Sequence, residues 1–308
     1  MVGDARAVRV SHSGSHPPVH RSEGILLASI GAIAFSGKAI LVKLSYRYGV
    51  DAVTVIMLRM LFSLPLFLGL SWWAGRGRSP LSRKDWVTLC GLGFCGYYLA
   101  SFLDFCGLQF IGASLERLVL YLNPTFVLAM SALVFGVRIT RRQWLSLLVS
   151  YLGVFLVFGH DITVSGAHVA LGSALVLGSA ISYAAYLVLS GQAVKRLGAL
   201  RITGVATSIA CLLCILQYVL LRPITLAIPS QVIWLALLNA ALCTFLPVVL
   251  VMLAIEKVGA PLVAQTGNIG PLSTIFLSIV LLGEPFTLWL AVGTVLVLAG
   301  IWLLARSR

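Results

Sequence analysis

The chain has 308 residues, of which 60% are hydrophobic and 10% are charged, and its mean hydropathy is +1.03. Soluble domains carry about a quarter charged residues, so this composition excludes a water-soluble globular protein and indicates an integral membrane protein. The net charge is +13. In an apolar chain with short loops, a basic excess is an orientation signal, and nucleic acid is not expected as a partner.

Residues 1–23 predict a disordered cytosolic tail. This segment contains several arginines, three histidines spaced four apart and the Pro17-Pro18 pair, and no apolar core interrupts it. A signal peptide or a membrane anchor needs such a core, so neither is predicted. The histidines could recruit a metal ion, but a solvated low-complexity tail is favoured and no metal site is predicted.

Ten continuous apolar runs follow the tail. A helix needs about 20 apolar residues to cross the hydrocarbon, and continuous runs exclude a β-barrel, whose strands alternate. The fifth run is short and has to include residues before Trp144 in order to span. The sequence therefore predicts an all-α integral membrane protein with ten transmembrane helices, at 25–44, 53–74, 86–106, 113–136, 144–158, 169–190, 202–221, 232–255, 261–282 and 288–305.

The basic residues predict how these helices are oriented. If both termini are cytosolic, the cytosolic segments hold 16 Lys and Arg residues and the opposite loops hold two, Arg47 and Arg222. Cytosolic loops of membrane proteins carry such an excess. One helix more or fewer would move the later loops to the other side and remove the asymmetry. The pattern therefore predicts a multi-pass protein with both termini in the cytosol.

The chain also matches itself at an offset of 147 residues. Between 112–140 and 259–287, seven of 29 aligned positions are identical, including a Gly-Ala pair, the prolines Pro124 and Pro271, and a closing glycine. The sequence thus predicts two five-helix repeats, residues 24–159 and 168–305. Because five is odd, the second repeat crosses in the opposite sense, and such inverted repeats are typical of secondary transporters.

These features resemble the drug/metabolite transporter superfamily, in its EamA-type family. The likeness rests on the 5+5 plan, the Gly-Ala pairs, the two prolines, Gly283-Glu284-Pro285, Arg59 and Lys43. The resemblance implies a carrier of the bacterial cytoplasmic (inner) membrane, usually an exporter of amino acids, metabolites or toxic organic compounds. It also implies that helices one to four and six to nine surround a cavity, while five and ten are peripheral. Val137 and Lys38 depart from the family pattern.

Charged residues within the predicted helices are candidates for the functional site, because each costs about 2.5–3.5 kcal/mol at the membrane centre. Lys38 faces either the cavity or the outer interface, and Arg59 is open to pairing, anchoring or ligand contact. Asp104, Glu116 and Arg117 lie at one depth, where helix three ends and helix four begins. We predict that they form a salt-bridge gate in preference to binding substrate, and either carboxylate is a candidate proton site.

Polar stripes on the helices predict the substrate site. Two tyrosines of helix six offer ring faces and hydroxyls to an organic solute, although helix packing would also explain them. Proline removes a backbone hydrogen bond, so Pro124 and Pro271 predict kinks in helices four and nine. The predicted substrate-binding residues are Lys38, Arg117, Tyr121, Asn123, Tyr183, Tyr186, Gln265 and Asn268.

The resulting functional hypothesis is a secondary transporter that exports small polar organic metabolites, such as amino-acid-like solutes, by alternating access. The chain contains no G-x-x-x-x-G-K-[ST] phosphate loop, so uphill transport requires a gradient. The expected partners are a small-molecule substrate and the lipid bilayer; a homodimer is compatible with the pattern, and no cofactor is expected. The alternatives are a membrane-embedded lipid-modifying enzyme, with His160, Asp161 and His168 as its candidates, or a non-transporting sensor or scaffold.

Overall fold

The structure is a computed structural model, and it describes residues 18–136, 140–165, 167–222, 228–258, 266 and 269–306. Helices dominate these residues, and π-helical segments interrupt three of the crossings, at Phe94–Leu99, Ala241–Phe245 and Ser278–Leu282. The α-helices are α1 Pro18–Tyr46, α2 Ala52–Gly75, α3 Arg83–Gly93, α4 Ala100–Leu108, α5 Ala113–Leu120, α6 Asn123–Phe135, α7 Arg141–Ser165, α8 Ala167–Leu197, α9 Ala199–Leu221, α10 Ser230–Ala240, α11 Leu246–Val258, α12 Ile269–Leu277 and α13 Leu288–Arg306.

Three features of these bounds bear on the sequence predictions. α1 begins at Pro18, within the segment predicted as a tail, and residues 1–17 lie outside the described residues. α7 runs from Arg141 to Ser165 and is therefore longer than the predicted fifth run. The sequence hides its true length because charged and polar residues occupy both ends. Val137, Gln265 and Asn268 also lie outside the described residues.

The chain is a multi-pass helical membrane protein. Among the described residues, eight helical spans are long and apolar enough to cross a bilayer, and Leu272–Leu282 and Leu288–Leu303 are shorter apolar helices. Large side chains such as Trp72, Leu133 and Phe155 are more than half exposed, which is expected where lipid replaces water as the solvent. The all-helical membrane class predicted from composition is thus confirmed.

Corresponding elements recur at the 147-residue offset that the sequence predicts. α2 begins at Ala52 and α9 at Ala199, and π-helical segments begin at Phe94 and Ala241. The extra residue of a π-helical turn is a local backbone feature that apolar composition does not specify. Its presence at equivalent positions therefore shows that the two halves share backbone geometry as well as residue identities.

Helix ends recur in the same way. Gly136 follows α6, and Gly283 follows the last π-helical segment. Both glycines adopt the left-handed conformation, with φ of 66° and 72°. A side chain is disfavoured there, so glycine at both positions has a direct structural reason. The next helices, α7 and α13, begin at Arg141 and Leu288, again 147 residues apart.

Helices that pack together have counterparts, 147 residues away, that also pack together. α1 packs against α11 and α12, and its counterpart α8 packs against α4 and α6, which are the counterparts of α11 and α12. The remaining main contacts join counterparts directly, α2 with α9 and α7 with α13. This pattern is what a two-fold relation between the halves produces.

The α7–α13 contact shows this relation at the level of single residues. A Cβ added to Gly153 would lie 2.6 Å from the carbonyl oxygen of Gly293, and one added to Gly300 would lie 2.8 Å from that of Ser146. The offset converts Gly153 into Gly300 and Ser146 into Gly293, so the two close approaches are copies of each other. Small residues allow membrane helices to approach this closely.

Two groups of polar contacts join helix ends. At one end of the bundle, Arg222 pairs with Asp51 at 2.6 Å, Arg47 donates to the carbonyl of Leu282 at 2.7 Å, and Glu284 accepts from the first N–H of α5 at 2.6 Å. We call this the Glu284 face. The loops there join α1 to α2, α4 to α5 and the last π-helical segment to α13.

A second group of contacts, the Asp85 face, links the α2–α3 loop to the α8–α9 junction. Arg196 pairs with the buried carboxylate of Asp85, and Arg78 donates to the carbonyl of Leu197. Asp85 also closes a capping box at the start of α3 with Ser82. The polar groups at this face therefore bond largely to one another.

Substitution of Gly153 tests the close α7–α13 contact. We expect Gly153→Ala to lower the melting temperature of the purified protein in detergent, because the added methyl group would overlap the α13 backbone. Gly159→Ala is the matched control on the same helix, since a Cβ there meets no atom within 4 Å. Alanine favours a helix over glycine by about 1 kcal/mol, so the control should be neutral or stabilised. Equal effects of the two substitutions would contradict the contact.

Asp51 supplies a pH-dependent contact at the Glu284 face. Partial burial raises the pKa of this carboxyl, but hydrogen bonds from Thr54 and Arg222 together outweigh burial and leave the pKa below its ordinary value. A lowered folded-state pKa stabilises the fold at neutral pH, and this contribution is lost as the pH falls below about 4 towards the folded-state pKa.

We therefore expect Asp51→Asn to reduce the loss of melting temperature between about pH 6 and about pH 3, because the variant has no proton to take up at this position. The exposed carboxylate of Glu23 offers a control, Glu23→Gln. Identical pH profiles for wild type and Asp51→Asn would refute a stabilising role of the ionised carboxylate.

Candidate functional site

A buried ion pair joins the first and third crossings. Lys38 of α1 is 8% exposed, and its Nζ atom lies 2.5 Å from Oδ2 of Asp104 on α4, which is 2% exposed. A second carboxylate, Glu116 of α5, is fully buried, with Oε1 3.8 Å from the same ammonium group. Lys38 therefore faces the protein interior, with two carboxylates within 4 Å of its ammonium group.

Arg117 extends this group along α5. Its Nε atom lies 3.8 Å from Oε2 of Glu116, and its guanidinium carbon lies 5.9 Å from the ring centroid of Phe35. The ammonium of Lys38 lies 5.6 Å from the same ring. Two cations thus lie near one aromatic ring, which attracts positive charge through its electron-rich face.

Arg59 of α2 completes the group. It is 4% exposed, donates to the hydroxyl of Ser101 at 3.0 Å, and has its guanidinium carbon 4.6 Å from the ring centroid of Phe105. The same ring lies 5.8 Å from the ammonium of Lys38. We call Lys38, Arg59, Asp104, Glu116 and Arg117 the Lys38 cluster.

Many polar atoms of the Lys38 cluster remain without hydrogen bonds to the part of the chain that the structure describes. They are Nε of Arg59, Oδ1 of Asp104, both carboxylate oxygens of Glu116, and Nε and Nη2 of Arg117. Buried polar groups in native proteins almost always have partners, because an unsatisfied group costs about 1–3 kcal/mol. The Lys38 cluster therefore has unused capacity both to donate and to accept hydrogen bonds.

The start of α5 is held by a residue of the second half. The Glu284 carboxylate accepts from the N–H groups of Ala113 and Ser114 at 2.6 and 3.1 Å, and from the Ser114 hydroxyl at 2.7 Å. An anion suits the positive end of a helix. Lys43 acts on the preceding loop by donating to the carbonyls of Leu108 and Ile111 at 3.1 and 2.9 Å. Both contacts lie close to Glu116 and Arg117 in the chain and fix their position.

The fourth crossing is broken next to the Lys38 cluster. α5 ends at Leu120, Tyr121 and Leu122 form a turn, and α6 begins with Asn123 and Pro124 in its first turn. Proline has no N–H to donate and suits a first turn, so the break falls where the sequence predicts a kink. Pro271 lies in the first turn of α12, and the chain immediately before α12 lies outside the described residues.

The tyrosines predicted to bind substrate form a second cluster. Tyr186 stacks on Tyr183, with ring centroids 5.6 Å apart, and meets Tyr97 edge-on at 5.3 Å. Tyr186 is buried, whereas Tyr183 is 38% exposed. Asn123 donates to the carbonyl of Ala180 at 2.9 Å, which joins the start of α6 to α8, the helix that carries Tyr183 and Tyr186. We call Tyr97, Tyr183 and Tyr186 the tyrosine cluster.

The predicted site residues thus fall into two clusters with different chemistry. Lys38, Arg117, Asp104 and Glu116 come together as charges, and Arg59 joins them. Tyr183 and Tyr186 belong to α8, and Asn123 of α6 donates to the carbonyl of Ala180 on that helix. Tyr121 lies in the turn between α5 and α6, and Gln265 and Asn268 lie outside the described residues. The sequence predicted that Asp104, Glu116 and Arg117 lie at one depth, but it did not identify the partners of Lys38 and Arg59.

The residues proposed for an enzyme are engaged in packing. His160 lies 3.3 Å from the Asp161 carboxylate and stacks on Trp289, and His168 stacks on Phe110. These contacts divide the two histidines between separate aromatic partners.

The repeated architecture has a counterpart among known protein families. A family model described as the EamA-like transporter family matches residues 22–159 and again residues 170–306. The chain belongs to the EamA-like transporter family. The predicted membership is confirmed, and the protein is a membrane transporter containing two EamA units.

Several curated relatives support the membership over most of their length. The chain is 29% identical to the uncharacterized transporter YcbK of Bacillus subtilis (strain 168) over 278 residues, which is 88% of each protein. It is 24% identical to an uncharacterized transporter of Synechocystis sp. over 309 residues, covering 92% of this chain and 94% of the relative. A solved crystal structure, 19% identical, covers 93% of the chain with a TM-score of 0.64, so the fold is also shared.

Removal of Lys38 tests how the Lys38 cluster is balanced. We expect Lys38→Met to lower the free energy of unfolding by about 3–5 kcal/mol, because Asp104 would keep a buried charge without its partner. The double variant Lys38→Met/Asp104→Asn should recover part of this loss. Denaturant unfolding of the EamA protein in detergent gives both values.

The exposed pair formed by Lys257 and Glu23, 2.8 Å apart, is the control for charge removal as such. Lys257→Gln should change the free energy of unfolding by no more than about 1 kcal/mol, because exposed pairs contribute little. Independent, additive effects at Lys38 and Asp104 would contradict the direct pairing.

Proposed function

We propose that this EamA protein is a secondary transporter that exports small polar organic solutes, such as amino-acid-like metabolites, by alternating access. The observation that carries the proposal is the Lys38 cluster, which draws five ionisable side chains from four helical segments of the first half. Ionisable residues inside a membrane are costly and mark solute or ion pathways. The family to which the chain belongs consists of transporters, in agreement with this interpretation.

A purely structural role explains the Lys38 cluster poorly. Replacement of a buried ion pair with apolar residues of similar size is often neutral or stabilising, so charge is not needed for packing. Moreover, the charged groups retain unused hydrogen-bonding capacity within the described part of the chain. A solute-binding role accounts for both features, because a bound polar solute supplies the missing partners.

The architecture of the proposed carrier is ten helices in two inverted five-helix repeats, residues 24–159 and 168–305, with both termini in the cytosol. Four observations support it: the recurrence of helix starts at 147 residues, the exchange of helix pairs, the two shorter apolar helices, and the basic loops. In this orientation the Asp85 face is cytosolic and the Glu284 face is external.

Alternating access requires that polar contacts at one face break while those at the other hold. The Glu284 face supplies such contacts, since Glu284 and Ser278 belong to the second half and bond to Ser114 of the first half. The Asp85 face supplies others through Arg196 and Asp85. Opening the external side would separate Ser114 from Glu284 and release the start of α5, which bears two members of the Lys38 cluster.

Counterflow in proteoliposomes tests transport itself. Vesicles preloaded with one of a panel of unlabelled amino acids and organic acids should accumulate the labelled form of at least one of them. Arg117→Gln and Tyr183→Ala should abolish this flux without loss of folded protein, whereas Lys257→Gln at the exposed Glu23 pair should retain it. Binding of a solute without any flux would make the protein a sensor or scaffold and would refute the carrier.

A reversible cross-link tests alternating access. The hydroxyl oxygens of Ser114 and Ser278 are 2.7 Å apart, so cysteines at both positions can form a disulfide between the two halves. In a background without the six native cysteines, Ser114→Cys/Ser278→Cys should stop counterflow on oxidation and regain it on reduction. Each single cysteine variant is the control. Undiminished flux through the oxidised double variant would show that the Glu284 face does not open.

A further inference from the structure

The net charge of the Lys38 cluster distinguishes it from an ordinary set of ion pairs. Lys38, Arg59 and Arg117 supply three positive charges, whereas Asp104 and Glu116 supply two negative charges. Protonation of either carboxylate would only make the excess larger. A buried site in a low-dielectric medium therefore holds at least one positive charge without an internal counter-charge.

The neighbouring chain cannot supply the missing negative charge. Residues 259–268, which include the part of the ninth run outside the described residues, have the sequence GAPLVAQTGN and contain no ionisable side chain. Glu284, which lies at the start of α5, already accepts hydrogen bonds from the N–H groups of Ala113 and Ser114. An unbalanced buried cation is strongly disfavoured, and the described residues offer no further carboxylate to the Lys38 cluster, so an anion from outside the chain is the natural partner.

The second half does not repeat the charges. At the 147-residue offset, Asp104, Glu116 and Arg117 correspond to Val251, Val263 and Ala264. Symmetry of the scaffold therefore does not require these charges, and they were placed in one half only. Ionisable residues inside a membrane mark functional sites, and a role in one half only agrees with such a site.

The unused donors indicate what kind of anion fits. Nε of Arg59 and both Nε and Nη2 of Arg117 are buried and lack hydrogen-bond partners among the described residues. Guanidinium groups bond carboxylates with two parallel N–H donors, and such charge-assisted bonds are stronger than neutral ones. The ring of Phe35, 42% exposed, lies between Lys38 and Arg117 and offers an apolar surface next to these donors.

We propose that the Lys38 cluster binds a small organic monoanion, with a carboxylate at the guanidinium group of Arg117 and an apolar body on the ring of Phe35. This inference rests on the proposed function and specifies its substrate class. Lys38 is then the fixed cation whose charge Asp104 neutralises, and Arg117 is the cation that the solute neutralises. Glu116 competes with the solute for Arg117, because it lies 3.8 Å from that guanidinium.

Thermal-shift titration of the purified full-length protein tests the charge class directly. The probes are sodium benzoate, sodium phenylacetate and sodium lactate as monoanions, benzamide as a neutral analogue, benzylammonium chloride as a cation, and sodium chloride, all at constant ionic strength. A ligand that binds the folded state raises the melting temperature. At least one organic monoanion should do so with a saturating dose response, whereas benzamide, benzylammonium and chloride should not.

A charge series at the Lys38 cluster separates recognition from folding. Arg117→Gln should weaken binding of the active monoanion at least about tenfold, since one charge-assisted bond contributes about 1.5 kcal/mol or more. Arg117→Lys, which keeps the charge, should lose less. Glu116→Gln should tighten binding, because it removes the competing carboxylate, and Glu116→Gln/Arg117→Gln should lie between the two single variants. Lys257→Gln at the exposed pair with Glu23 is the unaffected control.

Several results would overturn the inference. Weaker binding by Glu116→Gln, equal binding of benzamide, preference for benzylammonium, or no response to any monoanion would each exclude an organic-anion site. An equal effect of chloride would assign the site to inorganic anions. The counterflow assay tests the transport function separately. If the monoanion binds with the expected charge series but never crosses the vesicle membrane, the anion site is supported and the carrier function is refuted.

Discussion

The cost of burying charge governs the interior of this protein. Lys38 can stay in an apolar bundle only because Asp104 lies 2.5 Å away and Glu116 lies nearby. That requirement brings the first, third and fourth crossings together at one depth. It also explains why the start of α5 is so firmly held, since Glu284 and the backbone of Ser114 position the helix turn that carries Glu116 and Arg117. A shift of this turn would separate buried charges from their partners, which is strongly destabilising.

Two halves of similar backbone carry different chemistry. Glycine contacts between α7 and α13, two of the three π-helical segments and a pair of left-handed glycines recur at the same offset, so the scaffold is shared. The charges occur in the first half, and the tyrosine cluster combines Tyr97 of the first half with Tyr183 and Tyr186 of the second. A repeated scaffold supplies matching helix ends on both sides, and divergence of the polar residues then makes the two sides chemically unequal. Such inequality suits a carrier whose solute enters and leaves by different routes.

Membership in the EamA-like transporter family defines the class of protein, while the solute depends on individual side chains. The relatives named above are uncharacterized transporters, and the likeness to a solved structure concerns the fold. Recognition therefore has to be argued from the site itself. The excess positive charge of the Lys38 cluster, the guanidinium donors without partners among the described residues and the ring of Phe35 are properties of this chain, and the proposal of an organic anion rests on them.

The sequence alone determined the membrane class, the positions of the helices along the chain and the 147-residue repeat, because hydropathy, glycine and proline act locally. It also placed Asp104, Glu116 and Arg117 at one depth, since rise along a helix can be counted. Only the tertiary structure decided that Lys38 pairs with Asp104, that Arg59 belongs with them, that Glu284 caps α5 and that the tyrosines form a separate cluster. The direction in which a side chain points around its helix axis depends on neighbours far away in sequence. In a membrane protein both the lipid-facing side and the packed side of a helix are apolar, so hydropathy does not identify the inner face.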